Sequence, residues 1–129
     1  MGDLINFRRQ KSQEIDMKVI VAGSRTCTML NIVRDAMDKA PFHIDEVVSG
    51  GARGVDTFGE MIANARNIPV KRFPADWDKY GKSAGYKRNV QMSEYGQALI
   101  AIWDGKSVGT KHMIEIARQK HLPVFIYPL

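Results

Sequence analysis

A chain of 129 residues with 44% apolar and 26% charged side chains is long enough to bury a real core as one domain, without disulfides or metal. One cysteine, Cys27, excludes an internal disulfide framework, and together with the lack of an apolar leader or a run of the ~18–20 apolar residues needed to cross a bilayer it reads as cytoplasmic, with no membrane partner. The formal net charge of +5 is gathered between Arg66 and Val90, and such a window draws phosphate, on a small nucleotide or on nucleic acid, unless it is only a solvated face.

Residues 1–16 are mostly polar and aperiodic and form an N-terminal extension, in which Leu4, Ile5 and Phe7 are suited to dock as a short arm. The domain proper, residues 17–129, opens with a strand over Lys18–Ala22 that ends in Gly23-Ser24-Arg25. Leu30, Val33 and Met37 recur at helical spacing up to Pro41. A second strand, Glu46–Ser49, runs into Gly50-Gly51-Ala52-Arg53-Gly54, and Val55, Phe58, Ile62 and Ala65 then mark one helical face. Val70–Phe73 is a third strand, with Lys71 and Arg72 pointing to a sheet edge. Pro74–Gly85 reads as a loop, and Tyr86–Tyr95 as a helix closed by Gly96 in a C-cap role. Ala98–Trp103 is the most apolar strand and is expected at the centre; a helix over Gly109–Lys120 and a strand over Val124–Tyr127 complete the chain.

Strand–helix units repeated in this way, with strands too apolar for one-sided burial, predict an α/β domain. It is a Rossmann-like three-layer domain with a mainly parallel five-stranded sheet. Ligands of such sheets sit beyond the carboxyl ends of the strands, where the strand order reverses, and each Gly-rich turn follows a strand end.

Ser49-Gly50-Gly51-Ala52-Arg53-Gly54-Val55-Asp56 is the strongest local signal. Glycines after a strand let backbone approach a phosphate, and the helix that follows offers free N–H groups and the positive end of its dipole. Arg53 adds a charge-assisted donor; the plain alternative is a tight strand–helix turn. Asp56 falls in the first turn of that helix, where it serves the dipole or faces a ribose. Gly23, Ser24 and Arg25 extend the ring, with Arg25 a phosphate clamp. Asp104, Ser107, Gly109 and Thr110 precede the last helix, as ligand contacts or as an ordinary N-cap. Ala84-Gly85-Tyr86-Lys87-Arg88-Asn89 places cations beside an aromatic ring, and Trp77 and Tyr80 lie upstream to stack on a base or to pack a lid. His43, His112 and His121 lack metal-ligand spacing around Cys27. No G-x-x-x-x-G-K-[ST], G-x-G-x-x-G or G-x-S-x-G motif occurs, so neither a metal nor a bound cofactor is called for.

Taken in order, Val19–Arg25, Ser49–Asp56, Ala75-Asp76-Trp77, Tyr80-Gly81-Lys82, Ala84–Asn89 and Ser107–Thr110 resemble the YspA/YpsA-related branch of the SLOG superfamily over roughly residues 17–127. The superfamily also holds the LOG phosphoribohydrolases, the DNA-processing protein DprA and nucleotide-sensing SLOG domains. The resemblance implies a ligand related to ADP-ribose, NAD or a nucleoside phosphate, and a homo-oligomer. LOG enzymes use an Arg in an R-K-x-x-M-like segment and a Glu directly after a G-G-x-G-T loop. Arg88-Asn89-Val90-Gln91-Met92 is similar to the first with Asn for Lys; after Gly105–Thr110 the Glu position holds Lys111, His112 or Met113, and the nearest acid is Glu115. The expected function is therefore binding or sensing of a nucleotide derivative. The alternatives are an N-glycosidic or phosphoribosyl hydrolase, with Arg88 and either Asp56 or Glu115 as catalytic residues, and a nucleic-acid-binding protein distantly like DprA.

Overall fold

The computed structural model describes residues 17–129; the expected arm of Leu4, Ile5 and Phe7 lies outside them. The apolar runs form five strands: β1 (Lys18–Gly23), β2 (Glu46–Ser49), β3 (Val70–Arg72), β4 (Ala98–Trp103) and β5 (Val124–Pro128). Between them lie α1 (Leu30–Lys39), α2 (Val55–Ala65), the one-turn α3 (Trp77–Tyr80), α4 (Ala84–Tyr95) and α5 (Val108–Gln119). The strand order is β3-β2-β1-β4-β5, and all four pairings are parallel.

Strand alternation divides the core into two layers. Val19, Val21, Ile100 and Ile102 face Val33 and Met37 of α1 and Val55 and Ile62 of α2. Ile20, Leu99 and Ala101 face Met92 of α4 and Met113, Ile114 and Ala117 of α5. Because β1 and β4 are buried on both faces, neither shows polar alternation, as a covered parallel sheet requires. The chain steps outward from β1 to β3, then crosses back over β1 to β4. The order reverses between β1 and β4, and their carboxyl ends open the crevice expected of doubly wound sheets.

The architecture is the one predicted, with three local corrections. Strand β4 is interior, but the middle position belongs to β1, which pairs with both β2 and β4. The Pro74–Gly85 stretch is not all loop, because the Asp76 carboxylate accepts the Lys79 N–H at 3.1 Å and nucleates α3, which a 3-10 turn at Gly81–Ser83 joins to α4. Gly96 ends α4 with extended backbone (φ −77°), not the left-handed cap of a C′ glycine. Glycine stands there because a Cβ would lie 2.7 Å from Cγ1 of Ile20. The edge position of β3 agrees with its Lys71–Arg72 pair.

Candidate functional site

The loops after β1, β2 and β4 meet at the crevice, joined by the start of α4. They enclose two adjoining clefts, of about 470 Å³ and 370 Å³. Gly23, Ser24, Asp56, Asn89, Asp104, Ser107, Gly109 and Thr110 line the larger; Gly50, Gly51 and Arg53 line the smaller; Arg25, Ala52, Trp77 and Arg88 wall both. Of the sequence-predicted residues, Ser49, Gly54 and Glu115 line neither.

Arg88 is the partition. From the second turn of α4 it donates through Nη1 to the Gly50 carbonyl at 2.7 Å and through Nε to Asn89 Oδ1 at 3.3 Å. Gly50 must be glycine for this, since a Cβ would meet the Arg88 guanidinium and lie 2.9 Å from Asp56 Oδ2. Burial pulls the Arg88 pKa down, Asp56 pushes it up and Arg25 opposes its charge. Asp56, on the first turn of α2, is 5% exposed. Loss of water raises its pKa to about 6, although the Ala52 N–H (3.2 Å), the charge of Arg88 and the Gly50 N–H all favour the carboxylate. A buried acid with a raised pKa beside a guanidinium in a cleft is an arrangement that clusters at functional sites.

Several predicted contacts prove to have structural duties. The buried Ser24 hydroxyl accepts the Asp104 N–H at 3.3 Å, and its own N–H bonds Ile102 O at 3.1 Å, tying the β1 loop to β4. Asp104 Oδ1 accepts the Ser107 and Lys106 N–H groups, both at 2.8 Å, which hold its carboxyl below the usual range. Ser107 caps α5 through the Thr110 N–H, and the two hydroxyls are 3.0 Å apart. Asn89 Nδ2 reaches Gly109 O at 3.2 Å and His112 Nδ1 at 3.0 Å, welding α4 to α5. Gly54, at φ +73°, begins α2 against the Ser24 carbonyl, which would be 2.5 Å from a Cβ. Glu115 is exposed, a turn beyond the cleft wall on α5.

One supporting device escaped the sequence reading. The Ser49 hydroxyl donates to Glu60 Oε2 at 2.6 Å and accepts the Gly51 N–H at 3.0 Å. Arg72 grips the same Glu60 carboxylate with two donors. Together they prop the Gly turn from behind. The available signal was Asp56 and Glu60 at i, i+4 on the inward side of an apolar helix, where two acids require partners. Trp77 stands half-exposed at the rim of both clefts, while Tyr80 lines neither and lies between Lys79 and Lys87. The basic window is dispersed: Arg66 pairs with Asp38 at 2.9 Å, Lys71 lies over Phe73, and only Arg72, Lys82 and Arg88 reach the clefts. Among the described residues no group of three His, Cys, Asp or Glu side chains is placed to hold a metal, and no helix is long and apolar enough to cross a membrane.

These features define a Rossmann-like α/β domain with its clefts at the topological switch point. The model of the YspA, cpYpsA-related SLOG family matches residues 17–80. The gene 61 protein of Mycobacterium phage D29 is 32% identical over 117 residues, which are 83% of this chain and 93% of that relative. Among solved structures, DNA processing protein A (DprA) from Streptococcus pneumoniae superposes with a TM-score of 0.72 at 21% identity. That match covers 87% of this chain and 50% of the other, so the chain spans about half of DprA's length, and the likeness is one of fold. The chain belongs to the YspA, cpYpsA-related SLOG family.

Proposed function

We propose that the domain of residues 17–129 binds or senses a nucleotide-derived ligand, of ADP-ribose/NAD-related or nucleoside-phosphate type, in the clefts at the carboxyl ends of its strands. The observation that carries this is the pairing of a Gly turn at the α2 N-terminus with Arg88, which enters from α4 and donates to that turn. A guanidinium and a helix N-terminus on one concave surface are complementary to phosphate, which would compete with Asp56 and Ser49 for the N–H groups of the turn. The larger cleft, with Ala22, Met92 and Met113 on its floor and polar groups at its edge, has the character of a small-molecule site. Residues 1–16 then form an extension, and the domain acts in the cytoplasm as a homo-oligomer.

The test is thermal. Nucleoside 5′-phosphates raise the melting temperature by an amount that grows with the logarithm of ligand concentration above Kd, whereas the matching nucleosides do not. Equal stabilisation by both removes the phosphate from the proposal.

A second reading is favoured by Asp56. A carboxyl with a pKa of about 6 beside Arg88 in a cleft suits electrostatic and proton-transfer support of N-glycosidic cleavage. Chromatography of 5′-monophosphates after long incubation decides it: turnover that vanishes in Asp56→Asn establishes the hydrolase, and intact substrate leaves the binder. Glu115, exposed and outside the cleft wall, is the weaker catalytic candidate. Nucleic acid is the lesser partner class. It is supported by the described role of the DprA neighbour in DNA processing and opposed by the dispersal of the basic window.

A further inference from the structure

The two clefts differ in kind. Four arginines, Arg25, Arg53, Arg72 and Arg88, line the smaller one with the Gly50–Ala52 backbone, and no carboxylate lines it. Acids answer only two of the four guanidinium groups: Glu60 holds Arg72 from behind, and Asp56 lies near Arg88. Arg25 and Arg53 are exposed and make no salt bridge with any described residue. Two positive charges are thus left facing one concavity, close enough that the field of Arg25 bears on Arg88. A phosphoryl group of charge about −1.5 to −2 at neutral pH matches that excess.

The larger cleft does not offer the same environment. Its walls set Asp56 and Asp104 among Lys82 and Lys106, and its floor is apolar. It has the chemistry for a base and ribose, and its two acids set it apart from a lining of arginines alone. Since Arg25, Ala52, Trp77 and Arg88 wall both spaces, one molecule can occupy the two together.

We infer that the ligand carries at least two phosphoryl groups: the first lies at the Gly turn beside Arg88, and the outer one enters the all-arginine cleft, where Arg53 and Arg25 select nucleoside diphosphates and diphosphate-linked nucleotides over monophosphates. This rests on the nucleotide-binding reading above and narrows its substrate class. Arg53 is the discriminating residue, because it lines only the smaller cleft and holds no neighbouring side chain in place.

Isothermal titration of the full chain with the 5′-monophosphates and 5′-diphosphates of adenosine, guanosine, cytidine and uridine tests it at neutral pH. For at least one base the diphosphate binds roughly tenfold or more tighter than the monophosphate, as expected for added charge-assisted contacts. Arg53→Ala weakens the diphosphate several-fold more than the monophosphate, and Arg53→Lys restores part of the difference. Monophosphate binding with no diphosphate advantage, or an equal loss of both in Arg53→Ala, overturns this inference and leaves the nucleotide-binding reading intact. Oligothymidylate displacing every diphosphate overturns it in favour of nucleic acid. Failure of all eight nucleotides, and of ADP-ribose and NAD titrated beside them, to bind removes the nucleotide reading itself, and this inference with it.

Discussion

Asp56 concentrates the chemistry of this domain in one carboxyl. Its pKa of about 6 in the folded chain, against an ordinary 3.8, means that between those values the native state keeps a proton that the unfolded chain has released. Stability therefore falls as pH rises from about 4 to about 6 and levels off above. Asp56→Asn removes that slope, and its amide oxygen can still accept the Ala52 N–H. We expect the variant to be more stable than wild type at pH 7, by at most about 3 kcal/mol for a shift of roughly two units. Urea unfolding of both proteins from pH 4 to pH 8 checks this; parallel curves would show that Asp56 is not desolvated as described. At this scale the sequence was legible where a residue's role is local. Gly50, Ser107 and Asp56 lie in or beside turns whose spacing announces them, whereas the Glu60–Arg72 grip joins residues of two elements and has no local signature. The dual duty of Ser24 and Asp104 was hidden for the same reason, since their bond spans 80 positions.

Two glycines of the strand–turn–helix unit of β2 and α2, Gly50 and Gly54, have different jobs, and substitution separates them. Gly50→Ala pushes against the Arg88 guanidinium and Asp56 while leaving the elements intact. Loss of one charge-assisted anchor predicts roughly tenfold or greater loss of phosphate affinity in a protein of unchanged circular dichroism. Gly54→Ala instead forces a side chain onto a φ of +73° and into the Ser24 and Arg25 carbonyls. It is expected to cost about 1–3 kcal/mol of stability, read as a fall in urea midpoint with the slope unchanged. A Gly54→Ala protein of full stability would contradict the packing of α2 on the β1 loop. Element identity was readable because apolar runs and helical spacing are properties of short windows. The start of α4 and the existence of α3 were not, because one Asp76 cap in a polar stretch decides them. Gly96 shows the converse: the residue marks a helix end correctly, but its reason is Ile20 in a distant strand.

Over the whole molecule the basic residues fall into separate groups. Arg66 closes α2 against Asp38, at the end of the sheet away from the clefts, and Lys79 and Lys87 flank Tyr80. A single-stranded oligonucleotide therefore meets only the few cations at the crevice. The slope of log affinity against log salt should have a magnitude of about 1–2, since each phosphate neutralised on a single strand contributes about 0.7. Fluorescence titration across a salt series measures it, and a slope several times steeper would indicate a tract of phosphate contacts that the clefts do not supply. The charge window was visible in the sequence; its division was not, because it depends on which acids the fold brings opposite. The order β3-β2-β1-β4-β5 is likewise a long-range property that no periodicity encodes, and the alternation of elements indicates only that the sheet is parallel.

The crevice between β1 and β4 is also a seam, because the chain leaves the sheet's centre after β1 and returns to it only at β4. Across it the Ser24 N–H bonds Ile102 and the Asp104 N–H bonds Ser24, while the cleft above takes walls from both halves. An occupant of that cleft is a staple through the two halves of the sheet. The amide hydrogens of Ser24 and Asp104 then exchange with solvent more slowly, by a margin greater than at the far edge of β3, and the domain opens less often along its centre line.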